Sequence, residues 1–298
     1  MITNKFVTVL LPANNEEKNL PMILDKINNT FKKHRIKGEV IVINDGSDDG
    51  TEQVLKSLTK KFRFLKYFNH LKKEGMTECV NTGGKHAKGY YILFMPSDLQ
   101  AEPEEDIPKL LRKIEEGYDL VCGVRKRWGR PTLQVIQSKI YSLLSRLLFK
   151  VKIKDFNWER VYKSEILKGV DLRKGWHRYF VVLAASKGYK VGQIEVIEHK
   201  RDKGKSKTKI ERVVTGFLDM VAVKFFMQYS EKPLHFFSIP AFFFIAISVL
   251  IAGYGLIVYG FDLKQEFNLY FTSLILLLFG IHFIAIGFLG ETIKAKSE

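Results

Sequence analysis

Asp98 is the residue best placed to hold a metal ion. It lies in FMPSDLQ, Phe94–Gln100, directly after the strand-like run Tyr90–Met95. Enzymes that hold a divalent ion against a diphosphate often offer two carboxylates at such a place, and here there is one. Mg²⁺ is satisfied by one or two carboxylates when substrate phosphate and water complete its oxygen shell, so a single acid is enough. Pro96 removes a ladder donor, which is tolerated only where strand pairing ends, and this puts Asp98 and Gln100 in a loop. A second carboxylate, Asp45, ends another strand-like run in INDGSDDGT, Ile43–Thr51. Asp45-Gly46 makes a tight turn, and Ser47, Asp48 or Asp49 can cap the next helix. The same carboxylate can accept from a base N–H or a ribose hydroxyl. A third run ends in LLPANNEEKNL, where Pro12, Asn14 and Asn15 turn the chain and Glu16 and Glu17 suit the start of a helix.

The elements that would carry these residues are short β-rich runs alternating with helical stretches: KFVTVLL, EVIVIND, RFLKYFN, YYILFM and DLVCGV. Such alternation predicts an α/β fold with a mostly parallel sheet, whose ligands bind beyond the carboxyl ends of the strands. Two amphipathic stretches follow, near 130–150 and 208–229, with Leu133, Ile136, Ile140, Leu143 and Leu147 spaced helically in the first. They pack on the domain's own core or lie in a membrane interface. No internal repeat is present.

The C-terminal part differs in kind. Pro233 to Phe261 and Phe267 to Gly290 contain no Lys, Arg, Asp or Glu. Each exceeds the roughly 20 apolar residues that cross a bilayer as a helix. Pro240 suits the first turn of the first helix, which places the spans near 239–260 and 268–290 in a hairpin. Lys224 and Lys232 precede it, Lys294 and Lys296 follow it, and its connection FDLKQEF holds one Lys against two acids. The expected organisation is a cytoplasmic domain, 1–230, and a membrane hairpin, 231–298, with both termini cytoplasmic. The opening MITNKFVTVLLPANNEE has too brief an apolar run for a signal peptide, in agreement with that orientation. The formal charge of +16 attracts phosphorylated molecules or anionic lipid. Its densest cluster, HKRDKGKSKTKIER, leads directly toward the membrane, which disfavours nucleic acid as a partner. Cys79 and Cys122 are too few for a disulfide framework or a zinc site.

In this order, PANNEE, NDGSDDGT and PSDLQ resemble the family 2 glycosyltransferases of the GT-A fold. Within them, the chain is similar to the polyprenyl-phosphate hexosyltransferases, the group that contains dolichol-phosphate mannose synthase and the aminoarabinose transferases. The likeness continues through EEDIPKLLRKIEEGYDLVCGVR and HKRDKGKSK to GFLGE in the second span. The resemblance implies that Pro12, Asn15, Glu16 and Asp45 line the nucleotide site, although Asn14 replaces a usual aromatic. It implies that Asp98 and Gln100 hold Mg²⁺ or Mn²⁺, with Pro96 in place of a further acid. Arg125, Ser138 and Arg201 match positions that hold the acceptor phosphate, with Lys205 and Lys207 as helpers, so that Asp98, Arg125 and Arg201 would carry catalysis.

A phosphate monoester is already anionic at neutral pH and needs positioning rather than a general base. The implied reaction moves a hexose from a nucleotide diphosphate sugar, of GDP-mannose or UDP-glucose type, to dolichyl or undecaprenyl phosphate with inversion. Self-association is also implied. Two alternatives remain: a same-fold enzyme acting on a larger lipid-linked glycan, and a nucleotide-sugar-binding scaffold with weakened catalysis. His177 and Arg178 in GWHRYF resemble a phrase of the group without an assigned role. DFNWERVYKSEI, from Asp155, is one residue shorter than the family's D-x-x-x-G-F segment and lacks its glycine and phenylalanine. Trp158 and Glu159 are therefore expected to reshape the sugar or acceptor pocket.

Overall fold

The computed structural model describes residues 2–126, 149, 153, 155, 158–170, 172–199, 210–229, 232–260 and 266–296. Two compact units make up the chain, Met1–Met220 and Val221–Glu298.

In the first unit, strands β1 (Val7–Ala13), β2 (Gly38–Asp45), β3 (Leu65–His70) and β4 (Tyr91–Phe94) alternate with helices α1 (Leu20–His34), α2 (Thr51–Lys61), α3 (Met76–His86) and α4 (Pro103–Glu115). Their continuous apolar runs have a physical cause: every residue of β1 is buried, because helices cover both faces of the sheet. β5 (Leu120–Lys126) follows, then β6 (Arg160–Lys163) and β7 (Val191–Ile197), two strands that the sequence reading did not find. The order across the seven-stranded sheet is β3-β2-β1-β4-β6-β5-β7. β6 runs antiparallel to both neighbours, with Val161 opposite Leu93 on one side and Val121 on the other. The remaining pairs are parallel. One core layer combines Val7, Val9 and Leu11 with Ile23 and Ile27 of α1 and Leu110 and Ile114 of α4.

α1 begins at Leu20 rather than at Glu16, with Pro21 in its first turn, where a missing N–H costs little. Glu16 and Glu17 thus stay in the strand-end loop. Arg35, at φ 53°, ends the helix in the left-handed conformation.

In the second unit, helices Pro233–Tyr259 and Phe267–Ala295 are both long and apolar enough to cross a membrane. The first starts at Pro233, which takes the first-turn place expected for Pro240; Pro240 lies inside the helix and deletes one backbone hydrogen bond there. The two helices pack antiparallel through small residues seven apart: Ala241, Ser248 and Gly255 on one, and Ser273, Gly280 and Gly287 on the other. Ser248 Oγ donates to the Ser273 carbonyl (2.7 Å) and Ser273 Oγ to the Ser248 carbonyl (2.9 Å). Near the end of the second helix, Gly290 lies against Pro233, and Glu291 Oε1 accepts the otherwise orphaned N–H of Leu234 at 3.2 Å. The GFLGE phrase therefore closes and caps the hairpin. Outward residues such as Phe242, Leu250 and Ile257 are exposed.

Candidate active site

The loops after β1, β2 and β3 are stitched together at the carboxyl edge of the sheet. Asn14 Nδ2 donates to the carbonyls of Asp45 (2.9 Å) and Gly46 (3.3 Å), and Lys73 Nζ donates to Asn14 Oδ1 (2.6 Å). Asn14, the departure from the usual aromatic, thus ties three loops. Asn15 holds φ 63°, a strained value for a non-glycine residue, and is locked there by reciprocal bonds with Asp48 and by its own N–H on Ser47 Oγ. The N–H of Glu16 reaches Thr51 Oγ1 (2.9 Å). Gly46 has φ 61°, and a Cβ there would meet backbone atoms of Lys72 and Lys73 at 2.4 Å, so only glycine lets the β3–α3 loop lie over this turn.

Asp45 organises that loop. Its Oδ1 accepts from Glu74 N–H (2.8 Å) and lies 2.9 Å from His70 Nδ1, and its Oδ2 accepts from Gly75 N–H (2.9 Å). Burial opposes the charged form, but the bonds from His70, Glu74 and Gly75 outweigh it and hold the carboxyl below its ordinary range. A carboxylate offers about four acceptor positions, and the described residues fill three of them, leaving one on Oδ2. His70 Nε2 pairs with Thr82 Oγ1 (3.0 Å). Asp45, His70 and Cys79 come close enough together to suggest a metal centre, but their chemistry argues against one. Both His70 nitrogens are engaged, and burial, with Asp45 next, pushes the Cys79 thiol up to about 12, far from the thiolate that a metal needs.

The Asp98 loop is anchored at both ends. Ser97 Oγ donates to the Pro12 carbonyl (2.6 Å), and the N–H of His199 to the Gln100 carbonyl (2.9 Å). Between them Leu99 takes φ 59°, and Asp98 Oδ1 accepts the Gln100 N–H at 3.2 Å. Asp98 and Gln100 are half-buried. A carboxylate and an amide oxygen in a pinned turn are a hard donor set that fits Mg²⁺ or Mn²⁺.

Arg125 differs from expectation. Its Nε and Nη2 bond Asp155 (2.7 and 3.3 Å), its Nη1 bonds Glu198 (3.3 Å), and its guanidinium lies 4.5 Å from the centre of the Trp158 ring. The three side chains are nearly buried, at 13%, 7% and 8% exposure. Arg125 is thus already engaged by two carboxylates, rather than standing apart from other charged groups as an acceptor-phosphate ligand is expected to. Ser138, Arg201, Lys205 and Lys207, and most of the first amphipathic stretch, lie outside the described residues.

Glu159 does not border the pocket either. It is fully buried, and that burial, followed by the neighbouring Asp106, pushes its carboxyl well above the ordinary range. Burial likewise raises Asp106, to about 6.

The sequence reading missed two of these partners, His70 and Ser97, and took Ser47 only as a helix cap. One signal was available. Asp45 and His70 end adjacent strands and are direct partners in the β2–β3 register.

The profile of glycosyl transferase family 2 matches residues 8–171. Over 296 residues the chain is 28% identical to a dodecaprenyl-phosphate galacturonate synthase of Rhizobium johnstonii, covering 96% of this chain and 87% of that protein. It is 26% identical to an undecaprenyl-phosphate 4-deoxy-4-formamido-L-arabinose transferase of Shewanella sediminis, covering 97% and 87%. Among solved structures, mannosyl-3-phosphoglycerate synthase from Rubrobacter xylanophilus shares the fold with a TM-score of 0.60 at 16% identity, over 74% of each chain. Glucosyl-3-phosphoglycerate synthase from Mycobacterium tuberculosis, solved with Mn²⁺, UDP and its product, does so at 0.58 and 18% identity, over 74% and 80%. With that profile covering more than half of its length and a GT-A sheet beneath it, the chain belongs to glycosyltransferase family 2.

Proposed function

We propose that this chain transfers one sugar from a nucleoside diphosphate sugar to the phosphate of a polyprenyl phosphate at the cytoplasmic face of a membrane, with inversion at the anomeric carbon. The observation that carries the reading is the pairing, within one chain, of a pinned Asp98–Gln100 turn at the ligand edge of the sheet with an apolar helical hairpin. Its two quoted relatives act, by name, on polyprenyl phosphates.

Pro12, Asn15, Glu16 and Asp45 would line the nucleotide pocket, Asp45 through its one open acceptor position. Asp98 and Gln100 would hold Mg²⁺ or Mn²⁺, and the ion would neutralise the departing nucleoside diphosphate. The acceptor needs no general base. Ser138, Arg201, Lys205 and Lys207 are assigned to grip its phosphate, and Arg125 contributes by fixing Asp155, Glu198 and Trp158. The sugar is a hexose or a related pyranose, and the chain self-associates through its hairpin.

The test offers the purified full chain UDP and GDP sugars with short dolichyl and undecaprenyl phosphates, with and without Mg²⁺, and follows the glycolipid. Asp98→Ala should lower the rate at least about a hundredfold, the scale of losing a preorganised electrostatic contact to the leaving group. Undiminished transfer by a folded Asp98→Ala chain, or no glycolipid from any pair, refutes the proposal.

A further inference from the structure

The turn around His177 is fastened to the start of α3. Thr77, 2% exposed, accepts the N–H of Gly175 (3.1 Å) and of His177 (3.4 Å), and its Oγ1 lies 3.1 Å from His177 Nδ1. Asn81, one turn on, donates to the Leu172 carbonyl (3.4 Å). A hydroxyl has two acceptor positions and one proton. Both acceptor positions of Thr77 are taken by backbone N–H groups, so its proton goes to His177 Nδ1. That fixes His177 as the tautomer carrying its proton on Nε2. The ring stays neutral, since burial first, and then Arg160 and Arg178, push it down to about 3. Nε2 meets no hydrogen-bonding partner among the described residues, and the side chain is half-buried rather than enclosed.

The location of this N–H matters. Thr77 is two residues beyond Gly75, whose N–H binds Asp45. Arg160 stands opposite Phe94 in the β4–β6 register, at the same edge of the sheet, just before the Asp98 loop. His177 is therefore fastened beside the β3–α3 loop that Asp45 holds, at the edge of the sheet that also carries the Asp98 turn, where the sugar of a nucleotide sugar held by both would lie. A proton fixed on Nε2 can only be given, so its partner is an oxygen rich in electron density.

Resting on the transferase reading, we propose that His177 positions the donor sugar, its Nε2–H bonding a hydroxyl or carboxylate oxygen of that sugar, with Thr77 setting the tautomer. The experiment measures binding of UDP, UDP-glucose, UDP-galacturonate, GDP and GDP-mannose by calorimetry, with Mg²⁺, to the full chain and its variants. For at least one sugar nucleotide, His177→Phe should lower affinity about five- to tenfold, the scale of one hydrogen bond, while its nucleoside diphosphate changes less than twofold. His177→Gln, whose amide can place an N–H near the position of Nε2, should recover most of the loss. Thr77→Val should repeat part of the loss and Thr77→Ser should not. Nitrogen-15 spectra should show the parent's His177 protonated on Nε2. Equal losses for nucleotide and sugar nucleotide, no loss in any pair, or a proton on Nδ1 overturns the assignment. Failure of the parent to bind any nucleotide overturns the transferase reading instead.

Discussion

Replacing Asp45 by Asn tests whether this residue holds the β3–α3 loop as well as a ligand. The carboxylate receives two backbone N–H groups on different oxygens, Glu74 on Oδ1 and Gly75 on Oδ2. An amide has only one oxygen, so in either orientation its NH₂ faces one of those donors. The loss comprises one hydrogen bond to a charged group and one half-buried N–H left unpaired, together about 2–4 kcal/mol. At about 1.4 kcal/mol per decade, the loop's opening equilibrium should shift roughly 30- to 700-fold.

Hydrogen exchange of the Glu74 and Gly75 amides in the detergent-solubilised full chain reads that shift directly. Nucleotide affinity should fall with it. The acid limb should also change. A depressed folded pKa contributes stability above the unfolded value of 3.8, and that stability is lost as pH falls through the lower folded value. The Asn variant should lose less stability across this window than the parent. If both amides remain as protected as in the parent while nucleotide binding collapses, Asp45 acts on the ligand alone and the loop argument is wrong.

The buried carboxyl pair behaves in the opposite sense. Both folded values are raised, so stability falls as pH rises from the ordinary carboxylate range through about 6, the value for Asp106. Glu159→Gln should therefore stabilise the chain by on the order of 1–3 kcal/mol at pH 8 and little at pH 4; equal melting shifts at both values would contradict this. In the hairpin, a Cβ on Gly280 would meet Ile245 Cγ1 at 2.5 Å and the Ala241 carbonyl at 3.0 Å. Gly280→Leu should cost about 1–3 kcal/mol of helix pairing, read as a lower melting midpoint in detergent, and an unchanged midpoint would count against the close packing.

β1, β2 and β4 were legible because a strand buried on both faces must be a continuous apolar run, and VTVLL, VIVI and YILF are such runs. β6 was not, since RVYK has charged residues at both ends of only four positions. Its place between β4 and β5 comes from pairing rather than periodicity. The strand-end residues Pro12, Asp45 and Asp98 could be placed at one edge from chain order alone. The state of Arg125 could not. Its partners Asp155 and Glu198 lie 30 and 73 residues away, and only the insertion of β6 and the pairing of β7 bring them near. For the same reason His177 carried no readable role, because its meaning depends on Thr77, 100 residues earlier. Pro240 is the helix start expected from the sequence, but the helix begins seven residues earlier at Pro233, where Glu291 caps the Leu234 N–H from 57 residues along the chain.

That cap also bears on biogenesis. The carboxylate that closes the front of the first apolar helix is synthesised 57 residues after the amide it satisfies. During translation the first helix therefore forms before the group that caps its leading end exists. The hairpin becomes a finished object only when Glu291 arrives, so the final turns of the second helix act as a latch on the start of the first.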